Sequence, residues 1–140
     1  IGCGKGYQLY ELTQLCPGVE VHGVDISSYA VENGKDEIKD RLQVCHANSL
    51  PFPDNHFDFV FSLNTLHNLP NYDLDKALRE MERVGKKNKY LCVESFRNEE
   101  EKVNLLYWQV TCRAFCAPEE WEWWLTQTGY TGDHSFIYFE

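Results

Sequence analysis

The 140-residue sequence predicts an α/β fold: an open, mostly parallel sheet with helices on both faces. Three observations predict it. Strand-like and helix-like patterns alternate along the chain. The chain opens on a Gly-x-Gly-x-Gly turn, Gly2, Gly4 and Gly6, that runs into a helical pattern. Nineteen residues after Gly6, Asp25 closes the apolar run Val19-Glu-Val-His-Gly-Val24. A glycine turn followed by an acid at the next strand end is the layout of a nucleotide-cofactor site.

The elements follow in order. Ile1 closes a first strand, of which the chain carries this residue alone, and no initiator Met precedes it. The expectation is one domain over residues 1–140 that lacks most of its first strand. Leu9, Leu12, Leu15 and Cys16 recur at helical spacing until Pro17-Gly18 stops them. Residues 19–24 read as the second strand. The segment 25–28 offers caps for a polar helix reaching about Lys39, weakened by Gly34. Residues 42–46 read as a short third strand, and 57–63 as a fourth after a loop with two prolines. Leu74, Ala77, Leu78, Met81 and Val84 form an amphipathic helix, with Gly85 as its C-cap. Residues 90–96 read as the fifth strand. Pro118 opens a helix with Trp121, Trp124, Leu125 and Thr128 on one face and Gly129 at its end. Residues 136–139 read as the last strand.

One stretch breaks the alternation. Over 99–116, Val103, Leu106, Tyr107, Val110 and Ala114 make one apolar stripe, and Leu105, Trp108, Cys112 and Phe115 a second. A helix apolar on two sides is buried between layers or lines an apolar cavity. The expectation is an inserted helix covering a binding site.

Composition narrows the function classes. Net charge is −9 and the basic residues are scattered, which argues against nucleic acid or an anionic membrane as partner. No apolar run is long enough to span a bilayer. The six cysteines contain no C-x-x-C pair, so no zinc site is expected, and most lie in apolar runs. That usage fits a reducing, cytoplasmic location. The third glycine comes one residue earlier than in the dinucleotide-binding Gly-x-Gly-x-x-Gly, which favours a cofactor without a pyrophosphate over the NAD(P) of an oxidoreductase.

With these motifs in place, the chain resembles the class I S-adenosylmethionine-dependent methyltransferases, whose fold is a Rossmann-like open sheet. The resemblance is carried by Ile1-Gly-Cys-Gly-Lys-Gly6, by Gly23-Val-Asp-Ile-Ser27, by His46-Ala-Asn-Ser-Leu-Pro-Phe52 with Phe57-Asp-Phe-Val-Phe61, and by Ser62-Leu-Asn-Thr-Leu-His-Asn-Leu69. It implies methyl transfer from S-adenosylmethionine to a small-molecule acceptor. It places Gly2, Cys3, Gly4 and Gly6 along the methionine part of the cofactor and Asp25 on the ribose hydroxyls. Ile26 would pack on the adenine, Asn48 and Ser49 would lie beside the adenine edge, and Asn64 would stand near the donor methyl. Where the family often has an acid before the Ala of the third-strand motif, this chain has His46, so adenine recognition falls to backbone groups and Asn48.

The candidate bases are His67, Glu94 and His134. His67 follows the fourth strand on the side where α/β sites open, and is either a base or a loop brace. Glu94 lies in the apolar run Leu91-Cys-Val-Glu-Ser-Phe96, and is either a base of raised pKa or a partner of Arg97 or Arg113. His134 reads as structural. Trp121 and Trp124 read as core, and Trp123 as exposed. Tyr107 and Trp108 are the candidate acceptor-binding residues. The alternative to turnover is a methyltransferase-like domain that only binds the cofactor.

Overall fold

The computed structural model describes residues 1–140. Its elements run α1 (Tyr7–Leu15), β1 (Gly23–Asp25), α2 (Ser28–Glu32), a 3-10 turn (Asp36–Arg41), β2 (Leu42–Val44), β3 (Phe57–Leu63), α3 (Asn71–Val84), β4 (Gly85–Glu94), α4 (Glu99–Trp108), α5 (Pro118–Thr128) and β5 (Asp133–Ile137). All pairings are parallel: β1 with β2, and β3–β4–β5. The two sheets meet through residues 1–3. The amides of Gly2 and Cys3 donate to Val24 O at 2.8 and 3.0 Å, and Ile1 N donates to Phe61 O at 2.8 Å. The order across the molecule is therefore β2, β1, residues 1–3, β3, β4, β5. Behind Ile1, an apolar groove of about 500 Å³ lies between Val19 and Val21 on one side and Phe57, Phe59 and Phe61 on the other.

The core sits on one side of the β3–β4–β5 sheet. The α3 face of Leu74, Ala77, Leu78 and Met81 is fully buried, together with Leu66, Leu91, Val93 and Trp121. A smaller cluster of Leu9, Val21, Ile38 and Leu42 closes the β1–β2 half. No helix is long and apolar enough to cross a membrane. All six cysteines are free thiols.

Several boundaries differ from expectation for local reasons. Of the 19–24 run only Gly23 and Val24 are in a ladder, which goes on to Asp25, because β2 begins opposite Gly23 at Leu42 and the other side faces the groove. The helix expected to reach Lys39 stops at Glu32. Ser27 caps it by accepting from Ala30 N, and Gly34 then packs where a Cβ would meet Leu42 Cδ1 at 2.5 Å. Gly85 is not a left-handed cap. It is extended, with φ −86° and ψ 136°, and α3 passes straight into β4. Its missing Cβ makes room for Lys89 Cγ and Val60 Cγ2, at 2.9 and 3.1 Å from the Cβ position. Gly129 does cap α5 in the left-handed region. The last strand begins three residues and ends two residues earlier than expected, at Asp133–Ile137.

The 99–116 stretch is a helix only to Trp108. Asn98 caps its start, accepting from Glu101 N at 2.9 Å. Beyond Trp108, tertiary bonds take the chain. Gln109 Nε2 donates to Glu94 Oε1 at 2.5 Å, and the amides of Arg113 and Ala114 both donate to His67 O at 2.9 Å. Neither apolar stripe is buried as a unit: Leu105 is enclosed, while Tyr107 is 86% exposed and Trp108 70%. Trp121 is fully buried and Trp123 exposed, as their helix faces predict. His134 pairs with Glu122 at 2.8 Å.

Candidate functional site at the carboxyl ends of the strands

The chain passes from strand to loop at Asp25, Val44, Leu63 and Glu94, all at the same end of the parallel sheets. In open α/β sheets this is where ligands bind. Residues 1–6 turn over this end between β1 and β3. Gly2, Gly4 and Gly6 all have positive φ, at 74°, 54° and 78°. Gly2 is there for space, since a Cβ would lie 2.0 Å from Thr65 Oγ1. Gly4 differs, because nothing stands within 4 Å of its Cβ position. Its backbone is open on the side a Cβ would occupy, which is what close approach of a ligand needs.

Asp25 locks this turn to β1. Its Oδ2 accepts from Gly4 N at 2.7 Å and its Oδ1 from Ser27 N at 2.9 Å. A carboxylate has about four acceptor sites, so two remain for hydroxyl donors. Ile26, next in line, holds its side chain 66% exposed. An apolar side chain kept in solvent beside a ribose-competent acid is a ready surface for a flat base. On the neighbouring strand end, Cys45 N donates to Asp25 O at 2.9 Å, so the loop that carries Asn48 and Ser49 leaves the sheet beside Asp25.

The 46–54 loop is held by one face of α3, which sequence reasoning did not reveal. Asp73 accepts from Asn48 Nδ2 at 2.6 Å, and Glu80 Oε2 accepts from Leu50 N at 2.6 Å. Arg83 donates to Leu50 O, Phe52 O and Asp54 at 2.8–3.0 Å while pairing with Glu80. The signal was present as charged residues one helical face apart, but their partners lie 25 to 33 residues away.

Asn64 ends β3 with φ 53°, one of two non-glycine residues at positive φ. Asn tolerates this region better than most, and strained backbone clusters at functional sites. Its amide donates to Cys92 O at 3.0 Å, which fixes it between β3 and β4. Thr65 follows, packed against Gly2.

His67 and Glu94 are brought together, fully enclosed. His67 Nδ1 accepts from Glu94 N at 3.4 Å, so the proton of the neutral ring sits on Nε2. Nε2 lies 3.4 Å from Glu94 Oε2 without hydrogen-bond alignment, and neither atom has another partner. Buried polar atoms without partners are rare in native folds and call for a reason. Neither arginine expected beside Glu94 reaches it: Arg97 pairs with Glu101 and Glu140. Glu94 meets Gln109 and His67 instead, and its backbone carbonyl accepts from Trp121 Nε1 at 3.1 Å. Burial pushes the His67 pKa down to about 4 and raises that of Glu94, opposed in part by the Gln109 hydrogen bond.

The two shifts have opposite consequences. His67 takes up a proton on unfolding, so its contribution to stability is complete above its ordinary 6.5 and falls away as pH drops towards 4. Glu94 holds its proton better when folded, so its contribution is complete below 4.5 and is lost as pH rises. Denaturant unfolding from pH 7 to 4 is expected to show a shallower decline for His67→Gln than for the parent. An equally steep decline would place the acid sensitivity elsewhere.

Tyr107 and Trp108 end α4, with Trp108 against Phe139 at 5.8 Å between ring centroids. Neither hydrogen-bonds to the His67–Glu94 pair. Gln109, the next residue, does.

Residues 1–93 match the family model described as a methyltransferase domain. Over 86 residues the chain is 40% identical to the demethylmenaquinone methyltransferase of Anoxybacillus flavithermus, covering 56% of this chain and 35% of that protein. The chain spans about a third to two fifths of the length of the curated relatives it matches. The YcgJ protein of Bacillus subtilis has a solved structure similar to this one, with TM-score 0.71 and 26% identity over 91% of this chain and 58% of that one. Another, from Thermotoga maritima, is described as a SAM-dependent methyltransferase, possibly a histamine N-methyltransferase. It has TM-score 0.67 and 26% identity over 93% of this chain and 61% of that one. The match over residues 1–93, together with a parallel sheet that carries the glycine turn and Asp25 at its carboxyl end, shows that the chain belongs to the methyltransferase domain family.

Proposed function

We propose that the chain binds S-adenosylmethionine and directs its methyl group to a small-molecule acceptor. The observation that carries this reading is the pairing of the open Gly4 backbone with Asp25. That pair supplies room for a ligand and an acceptor for ribose hydroxyls at one point. The residues fit the cofactor along their whole line: glycine turn, Asp25, exposed Ile26, then Asn48 and Ser49. The cofactor, when bound, supplies a sulfonium-activated methyl group that needs no further activation.

The chain's own residues have three tasks. Gly2, Cys3, Gly4, Gly6 and Asp25 hold and orient the cofactor. Asn64, at the β3 end, sets the edge of the reaction space. Glu94, with its pKa raised and the neutral His67 imidazole beside it, receives the proton that an acceptor gives up. For that to happen, the Gln109 amide must leave Oε1, because the carboxylate is 2% exposed as it stands. Tyr107 and Trp108, adjoining Gln109, cover the acceptor. The exposed Leu106, Tyr107, Trp108 and Val110 suit an apolar one, and the demethylmenaquinone of the relatives' name is the first to assay.

Calorimetric titration with S-adenosylhomocysteine, and with NADH in parallel, tests the cofactor. Binding of the first alone supports the reading. Binding of NADH alone would replace it with an oxidoreductase. Binding without methyl transfer to any acceptor would leave a cofactor-binding domain. Once an acceptor is known, Tyr107→Ala and Trp108→Ala are expected to raise its KM about tenfold with the fold intact, as loss of apolar contact does. Unchanged acceptor kinetics would remove both residues from the site.

A further inference from the structure

The polar groups of the loop after β2 are turned towards the first turn of α3. Asn48 N donates to His46 Nδ1 at 3.1 Å, which leaves the proton of the neutral His46 ring on Nε2. Nε2 lies 3.8 Å from Asp73 Oδ2. Asn48 Nδ2 donates to Asp73 Oδ1 at 2.6 Å. Both His46 nitrogens are thus directed to groups of this chain, and His46 has no acceptor left to offer a ligand.

Asp73 decides what Asn48 offers. An ionised carboxylate only accepts hydrogen bonds, so the amide must face it with its NH₂ side. The Asn48 carbonyl oxygen then points away from Asp73. It has no hydrogen-bond partner and is not among the sealed, unpartnered atoms of the molecule, so it remains open. The Asp73 side chain is 15% exposed, held in the first turn of a helix whose inner face is fully buried. Its position is therefore fixed by the fold.

We propose that Asp73 is a positioning residue that sets base selectivity: it holds the Asn48 amide with the carbonyl outward, to accept from the exocyclic amine of a 6-aminopurine. The inference rests on the cofactor reading above and names the group that discriminates the base. A 6-oxopurine presents lone pairs where the 6-aminopurine presents a donor. Against a carbonyl whose orientation is locked, this leaves two acceptors facing each other. Without Asp73 the amide can turn over and offer NH₂ instead, and the discrimination goes.

The test is calorimetric titration with S-adenosylhomocysteine and S-inosylhomocysteine, reading the ratio of their dissociation constants. The chain is expected to prefer the adenosyl compound by about tenfold or more, the worth of one hydrogen bond against an unpaired group. Asp73→Ala is expected to bring that ratio to within about threefold, and Asn48→Ala to do the same by removing the carbonyl itself. In the Asn48→Ala background, Asp73→Ala is expected to change the ratio no further. A merely structural Asp73 would weaken both ligands together and leave the ratio alone, and that result overturns the inference. A preference that survives Asn48→Ala overturns it as well, even where Asp73→Ala does not fold. A chain that binds neither compound overturns the cofactor reading and this inference with it. Binding of S-adenosylhomocysteine with an unmoved ratio overturns the inference alone.

Discussion

Asp25→Ala is expected to abolish measurable S-adenosylhomocysteine binding, with a loss of affinity of about 100-fold or more. Two effects combine. The carboxylate accepts from Gly4 N and Ser27 N at 2.7 and 2.9 Å, and these bonds tie the glycine turn and the start of α2 to the end of β1. Hydrogen bonds to a charged group contribute roughly 1.5–3 kcal/mol each, so the turn loses its lock before any ligand arrives. The ribose hydroxyls then lose their acceptor, at a similar cost for each bond. Asp25→Asn separates the two effects. An amide has one oxygen where the carboxylate has two, so the Gly4 and Ser27 donors compete for it. Its affinity is expected to fall between the parent and Asp25→Ala, with less loss of thermal stability. The measurement is the same titration, with circular dichroism to show that each variant folds. Binding of Asp25→Ala within about threefold of the parent would remove Asp25 from the site, since even one lost hydrogen bond exceeds that.

How much of this was legible in the sequence depends on how far each contact reaches. The glycine turn and Asp25 were legible because their chemistry is local. A turn that needs positive φ is written as glycine, and an acid at a strand end stands out in an apolar run. The α3 face was legible because five apolar positions at helical spacing have one physical reading. Asp73 was not. In sequence it is one more acid at a helix start, where dipole and capping explain it fully. Its meaning appears only when β2 and α3 bring Asn48 and His46 to it. Gln109 was hidden in the same way. The apolar stripes extended the helix on paper to residue 116, but helical propensity could not weigh the Gln109–Glu94 bond and the two amides drawn to His67 O. Glu94 shows the intermediate case. A carboxylate in an apolar strand announced that it needed a partner, and charge alone suggested an arginine. The structure supplies an amide on Oε1 and a neutral imidazole 3.4 Å from Oε2, which leaves that second oxygen without a hydrogen bond.

The three glycines of the turn are not equivalent, and a paired experiment should separate their roles. Gly2→Ala is expected to destabilise the fold by several kcal/mol. Its φ of 74° disfavours any side chain by about 1 kcal/mol, and the new Cβ would lie 2.0 Å from Thr65 Oγ1 and 2.6 Å from Thr65 Cβ. The second distance matters more, because a Cβ cannot rotate away as a hydroxyl can. Relief requires Thr65 itself to move, and Thr65 is tied between Asn64 and the buried Leu66. Thr65→Gly in the same chain is therefore expected to restore part of the stability, where Thr65→Ala restores less. Gly4→Ala meets no atom within 4 Å and carries only the strain of φ 54°, so it should melt within a few degrees of the parent. Its methyl group stands in the open space over the turn, so the same substitution should weaken S-adenosylhomocysteine binding about tenfold or more, as a lost close approach does. Denaturant melts and titrations on the two variants form a crossed pattern: stability lost at Gly2, binding lost at Gly4. If Gly4→Ala bound the ligand as the parent does, the space above Gly4 would be solvent alone, and the backbone of the turn would have no part in holding a cofactor.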